Sequence, residues 1–283
     1  MMKLITTVSA LQSALSTGRA NDSETGFVPT MGALHEGHLS LVRRAGKENE
    51  VVVVSIFVNP TQFNDKSDLD RYPRTLESDM EKLGTLKCDY VFAPSPEEVY
   101  PVPDTRKFDF GHLETVMEGR FRPGHFNGVA QVVSRLFDIV KPDRAYFGLK
   151  DFQQLAIIKD LVRQLKYPVE IIPCEILREN DGLAMSSRNM LLEPQNRGAA
   201  PSIYRTLQKV NELKTIKSVE EVKESVISEI EANPLLKVEY FEIVDEEILK
   251  TVDSWNEPNA KIACIAVFAG KIRLIDNIVI HNS

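Results

Sequence analysis

Val51-Val-Val-Val-Ser-Ile-Phe-Val58 is an almost unbroken apolar run, rich in β-branched residues. A strand wetted on one face alternates apolar and polar side chains. A run without alternation fits a strand covered on both faces, as in a parallel sheet. Upstream of it, Phe27 to Pro29 ends a short strand and Leu39 to Glu48 reads as a helix. Downstream, Asp68 to Leu83 has helical spacing, and Asp89 to Ala93 is strand-like and stopped by Pro94 and Pro96. Asn127 to Val140 is an amphipathic helix, followed by a strand over Arg144 to Phe147, a helix over Phe152 to Leu165 and a strand over Val169 to Pro173. Alternation of this kind predicts a doubly wound α/β domain, whose ligands bind at the carboxyl ends of the strands.

The pattern changes near residue 177, so the expected division is residues 1–176 and 177–283. In the second part, Glu193 to Lys214 and Val219 to Ala232 read as two helices. Val238 to Val244, Ile262 to Phe268 and Ile272 to Ile280 read as strands, with a tight turn at Ala269-Gly270. This is a smaller α+β domain.

The 283 residues carry a net charge of −7, which argues against a nucleic-acid binder that would need a basic face. No apolar run approaches the length of a membrane span. Met1 to Ala20 mixes polar and apolar residues and lacks the hydrophobic block of a secretion signal. Cys88, Cys174 and Cys264 form no C-x-x-C pair and fit buried, reduced thiols. The expectation is a cytoplasmic protein.

The chemistry concentrates in Phe27-Val-Pro-Thr-Met-Gly-Ala-Leu-His-Glu-Gly-His38. His35 and His38 fall where a strand passes into a helix. A helix start presents backbone N–H groups and positive dipole charge, which suits phosphate. Two imidazoles there can donate to a triphosphate and to charge that develops as it breaks. Half of a metal site, or plain capping residues, are the alternatives. Asn59 and Gln62 follow the apolar strand, and their amides suit hydroxyls and a carboxylate, although Asn59-Pro60 also reads as a simple turn. Tyr146-Phe-Gly-Leu-Lys-Asp-Phe-Gln-Gln154 places Lys150 and Asp151 at a helix opening, with Gln154 one turn on. Ser186, Ser187 and Arg188 offer two hydroxyls and a guanidinium in succession, a phosphate clamp or a solvated loop. Gly119 to Gly128, with Arg122 and His125, is either a pocket wall or a surface loop.

Taken together, five ordered segments resemble the pantothenate synthetase (pantoate–β-alanine ligase) family over most of the chain. They are Pro-Thr-Met-Gly-Ala-Leu-His-Glu-Gly-His at 29–38, Phe-Val-Asn-Pro-Thr-Gln-Phe at 57–63, Arg-Pro-Gly-His-Phe at 122–126, Gly-Leu-Lys-Asp-Phe-Gln-Gln at 148–154 and Asp-Gly-Leu-Ala-Met-Ser-Ser-Arg-Asn at 181–189. The first is similar to the HIGH signature of nucleotidylyl transferases, and Met185 to Arg188 stands where that superfamily carries its KMSKS-like loop. The resemblance implies a Rossmann-like amino-terminal domain, a mobile carboxyl-terminal lid and a homodimer. It implies ATP-driven joining of (R)-pantoate to β-alanine through a pantoyl adenylate, with Mg²⁺ on the triphosphate. Carried over by position, Met31, Gly32, Ala33, Leu34, His35, Glu36, Gly37 and His38 would bind ATP, with His38 catalytic and His35, Lys150 and Arg188 supplying charge. Gly148, Leu149, Lys150, Asp151, Leu177, Met185, Ser186, Ser187 and Arg188 would complete the ATP site. Gln62 and Gln154 would hold pantoate, with Pro29, Thr30 and Asn59 beside them. Leu149 stands where the family carries glutamate, and Leu177 where it more often carries valine or methionine.

Overall fold

The computed structural model describes residues 2–19, 23–63 and 66–281. The chain runs β1 (Lys3–Ile5), α1 (Val8–Arg19), β2 (Thr25–Thr30), α2 (Glu36–Glu48), β3 (Val51–Ile56), α3 (Lys66–Arg71), α4 (Leu76–Leu83), β4 (Tyr90–Phe92), α5 (Pro96–Val99), α6 (Met117–Phe121), α7 (His125–Val140), β5 (Arg144–Gly148), α8 (Phe152–Leu165) and β6 (Glu170–Cys174). It continues through α9 (Pro194–Ala199), α10 (Ser202–Gln208), α11 (Val210–Leu213), α12 (Val219–Glu231), β7 (Leu236–Asp245), β8 (Lys261–Ala269) and β9 (Ile272–Ile280). Two compact units result. The first comprises residues 1–114, 118–149 and 154–175, and the second residues 115–117, 150–153 and 176–283.

In the first unit the described strands form one parallel sheet, in the order β1-β4-β3-β2-β5-β6. The all-apolar reading of β3 holds. Val53 packs into one cluster with Phe27, Phe92, Phe137 and Ile157, while Val52 and Val54 pack into another with Val28, Leu39, Val42 and Leu83. Successive strand residues face opposite sides, so both sides of the sheet are covered. Each fully buried valine contributes about 1.5–3 kcal/mol. The chain builds outward from β2 through β3 to β4, then returns to lay β5 on the other side of β2. The switch point of the topology therefore lies between β2 and β5, where doubly wound sheets bind ligands.

In the second unit β7, β8 and β9 form an antiparallel meander. Ile203 and Leu207 of α10 and Val222, Val226 and Ile230 of α12 join Phe241, Ile265 and Leu274 of the sheet in one core cluster.

Prolines account for two departures from the sequence reading. The helix expected over Asp68 to Leu83 is split into α3 and α4 around Pro73, and that expected over Glu193 to Lys214 is three short helices, the first break at Pro201 and the second at a turn on Lys209. Proline removes a helical N–H and clashes with the preceding turn. The last hairpin turns through Gly270 and Lys271, since Ala269 pairs with Ile272. β1 and α1 had no counterpart in the sequence reading.

Candidate functional site

β2 ends at Thr30, and the next residues turn sharply into α2. Gly32 has φ +81° and Ala33 φ +49°, the left-handed region in which a side chain costs energy. Asp79 of α4 holds the turn: its fully buried carboxylate accepts the N–H groups of Ala33 at 2.9 Å and Leu34 at 2.8 Å. Lys82 donates to the Leu34 carbonyl at 2.6 Å. These polar groups of Ala33 and Leu34 are thus engaged inside the protein, and both side chains are buried. Thr30 is similar, since its hydroxyl donates to Ser55 O at 2.7 Å and accepts from Gly32 at 3.2 Å. Asp79 carried no signal in the sequence, because the groups it holds in the turn are backbone N–H groups distant in the chain.

The braced turn delivers His35 and His38 to the start of α2. Their rings are 4.0 Å apart at 33°. The His35 N–H approaches His38 Nδ1 at 3.4 Å, with Nδ1 as the acceptor. The N–H groups of Glu36 and Gly37 open the helix. The Glu36 carboxylate lies on the surface, paired with Arg43 at 2.8 Å, so any ligand contact at this position falls to its backbone.

Asn59 is buried and its amide is consumed. Its nitrogen donates to Gly128 O at 3.1 Å and to Gln62 Oε1 at 3.3 Å, and its oxygen accepts from the Thr61 N–H and hydroxyl and the Tyr100 hydroxyl. It caps the turn Pro60–Gln62, the segment that carries Gln62. Gln62 is half-buried, its Nε2 2.9 Å from Met31 Sδ, which joins it to the first motif. His125 Nδ1 lies 2.9 Å from Gln62 O, and Arg122 lies 3.0 Å from His125 Nε2. Arg122 and His125 therefore belong to the support of Gln62. Gly128 is required here, since a Cβ on it would meet the Thr61 carbonyl oxygen at 2.4 Å. At the end of β5, Gly148 faces open space, and Leu149 packs against the core, which explains an apolar residue there. Gln154 belongs to this first unit and Pro29 to its β2 strand.

The second unit holds the remaining site residues. Lys150 and Asp151 precede α8, and the Lys150 carbonyl accepts from Asn277 Nδ2 at 3.1 Å. Leu177 to Met185 form a hairpin closed by Met185 N–H to Leu177 O at 3.0 Å and Glu179 N–H to Leu183 O at 2.8 Å. The Leu177 carbonyl is thereby engaged. The hairpin leads into Ser186, whose hydroxyl accepts the Arg188 N–H at 3.2 Å and caps a short 3-10 turn over Ser187–Leu191. Hydroxyl, hydroxyl and guanidinium follow one another on a shaped loop.

Paired imidazoles at a helix start, beside the switch point of a parallel sheet, define a Rossmann-like nucleotide-binding protein. No helix among the described residues is long and apolar enough to cross a membrane. The family profile described as pantoate-beta-alanine ligase matches residues 3–279, and the chain belongs to that family of enzymes. It is 56% identical over 277 residues to the pantothenate synthetases of Bacteroides fragilis and Bacteroides thetaiotaomicron, covering 98% of each chain. The crystal structure of pantothenate synthetase from Thermus thermophilus superposes with a TM-score of 0.92 at 44% identity, covering 99% of this chain and 100% of that one. The Francisella tularensis pantoate-beta-alanine ligase, complexed with beta-gamma ATP and beta-alanine, superposes with a TM-score of 0.82 at 35% identity, covering 99% and 98%.

Proposed function

We propose that this chain joins (R)-pantoate to β-alanine, cleaving ATP to AMP and pyrophosphate. The observation that carries this reading is the close His35–His38 pair, 4.0 Å between ring centroids, at the helix start beside the sheet's switch point. Full-length similarity to pantothenate synthetases, one of them solved with an ATP species and β-alanine, supports it.

A carboxylate resists attack by an amine, so it is first activated. A pantoate carboxylate oxygen attacks the α-phosphorus of ATP, the bond from that phosphorus to the bridging oxygen breaks, and pyrophosphate leaves. The neutral β-alanine amine then attacks the acyl carbon, AMP leaves with the bonding pair, and the nitrogen gives up one of its two protons to solvent, keeping the other as the amide N–H. Neither step needs a covalent enzyme nucleophile. The work is positioning and stabilisation of charge on phosphoryl oxygens. His38 and the helix-terminal N–H groups of Glu36 and Gly37 serve the triphosphate together with His35. Lys150, Ser186, Ser187 and Arg188 add cationic and hydroxyl donors, and Met31, Gly32, Gly148, Asp151, Leu177 and Met185 line the nucleotide. Gln62 and Gln154 take pantoate's polar groups. Among the described residues no three His, Cys, Asp or Glu side chains gather into a metal site. Mg²⁺ would therefore be held chiefly by the triphosphate, whose charge it screens. Residues 1–176 acting as the nucleotide- and pantoate-binding domain, a homodimeric assembly and a cytoplasmic location belong to the same proposal.

The test is an assay for AMP with pantoate and β-alanine added singly and together. AMP should accumulate only with both, and pantoate alone should support exchange of pyrophosphate into ATP. Absence of turnover with this pair, alongside activity on a phosphorylated acceptor, would overturn the reading.

A further inference from the structure

β9 reads Ile272-Arg-Leu-Ile-Asp-Asn-Ile-Val-Ile280, with two polar residues in succession at its middle. Asp276 and Asn277 are 6% and 5% exposed. Burying such groups costs free energy unless each is bonded, and their bonds run to loops outside the sheet. Asp276 receives a bidentate fork from Arg178, at 2.7 and 2.9 Å. The same guanidinium donates to Gly182 O at 3.2 Å and Asn277 O at 3.3 Å, and stacks 3.5 Å over the Tyr204 ring. Arg178 therefore ties the hairpin that leads into Met185 to Arg188 onto β9. Asn277, the next residue, donates from Nδ2 to the Lys150 carbonyl at 3.1 Å, across 127 residues of chain. The N–H of Asn277 is itself held by Asp276 Oδ1 at 2.8 Å.

One two-residue step on a strand thus grips the backbone of the lysine and the base of the Ser-Ser-Arg loop. We infer that Asn277 is a positioning residue for adenylate formation: with Asp276 and Arg178 it fixes the backbone of Lys150 relative to the Met185–Arg188 loop. The inference rests on the roles proposed above for Lys150 and Arg188. Asn277 touches no reacting atom. Without its amide, the lysine segment keeps its sequence but loses the tie that sets its distance from the loop, and small displacements of charge-stabilising groups are costly to rate.

The test uses the full-length chain and pantoate-dependent exchange of labelled pyrophosphate into ATP. It compares wild type, Asn277→Ala, Asn277→Asp, Lys150→Arg and the double variant Asn277→Ala with Lys150→Arg. Asn277→Ala and Asn277→Asp should each slow exchange roughly ten- to hundredfold, the range commanded by one buried hydrogen bond. Their KM values for ATP and pantoate should stay within about threefold of wild type, because the lost contact acts on the step and not on binding. The double variant should match Lys150→Arg alone within about threefold, whereas a general structural lesion would multiply with it. Asn277→Asp sets a second carboxylate beside Asp276; if it does not fold, Asn277→Ala carries the result, with circular dichroism as the check on both. Wild-type exchange with Asn277→Ala equally active, or effects that multiply in the double variant, would overturn the inference and leave the proposed reaction standing. A wild type with no pantoate-dependent exchange would remove both.

Discussion

Asp79 shows how a residue without chemistry of its own sets the site. Its carboxylate satisfies the N–H groups of Ala33 and Leu34, in a turn that already contains a non-glycine residue at positive φ. Asp79→Ala would leave both N–H groups buried without an acceptor, and should lower stability in urea by about 3 kcal/mol. His38→Ala should behave in the opposite way. The imidazole is only half-buried, so the unfolding midpoint should hardly move, while pyrophosphate release falls roughly 100- to 1000-fold through loss of a donor to developing charge. Loss of fold together with activity would make His38 structural. The placement of the two histidines at a strand-to-helix junction was legible in the sequence, because an apolar strand, a glycine turn and an amphipathic helix succeed one another around them. Asp79 and Asn277 were not. The bonds that matter here run to backbone groups 45, 46 and 127 residues away, and nothing in a local pattern marks such a bond.

Among elements, α7 and the turn over Pro60–Gln62 depend on close approach. The Gly128 backbone lies so near Thr61 that an added Cβ would meet main-chain atoms at 2.4, 2.7 and 2.8 Å. Backbone cannot yield as a flexible side chain does. Gly128→Ala should displace the turn that carries Gln62, lower stability by about 1–3 kcal/mol, and raise KM for pantoate at least several-fold. An unchanged KM would separate Gln62 from the acid site. The strands of the sheet were readable in advance because burial on both faces leaves an apolar run as its trace. β1 left none: it is three residues long and mostly exposed, and it is a strand because it pairs with β4. For Asn59 the sequence leaves two readings open, ligand contact and turn. An amide after a strand looks the same whether it faces ligand or caps a turn, and only the census of its partners distinguishes the two.

At the scale of the whole molecule, acid should act through carboxylates held in their charged form. Asp104 is the clearest case in the first unit. The Arg106 guanidinium forks onto it at 2.6 to 3.1 Å, with Arg135 at 3.3 Å, and holds its carboxyl below the usual range against the opposing effect of burial. A carboxyl whose value is lower in the folded than in the unfolded chain stabilises the fold fully above the unfolded value, near pH 4. That contribution fades as pH drops below it. Urea midpoints should therefore fall between pH 5 and pH 3, and Asp104→Asn should show a shallower fall; equal slopes would remove Asp104 from the account. The membership of residues 150–153 has a different consequence. This tetrapeptide groups with the second unit although β5 before it and most of α8 after it group with the first. The polypeptide thus passes back and forth more than once, and no single scissor cut in the gene separates two self-sufficient halves. A fragment ending at residue 176 would keep the lysine yet leave Asn277 behind, so recombination of modules between relatives would have to exchange both stretches as one unit of inheritance.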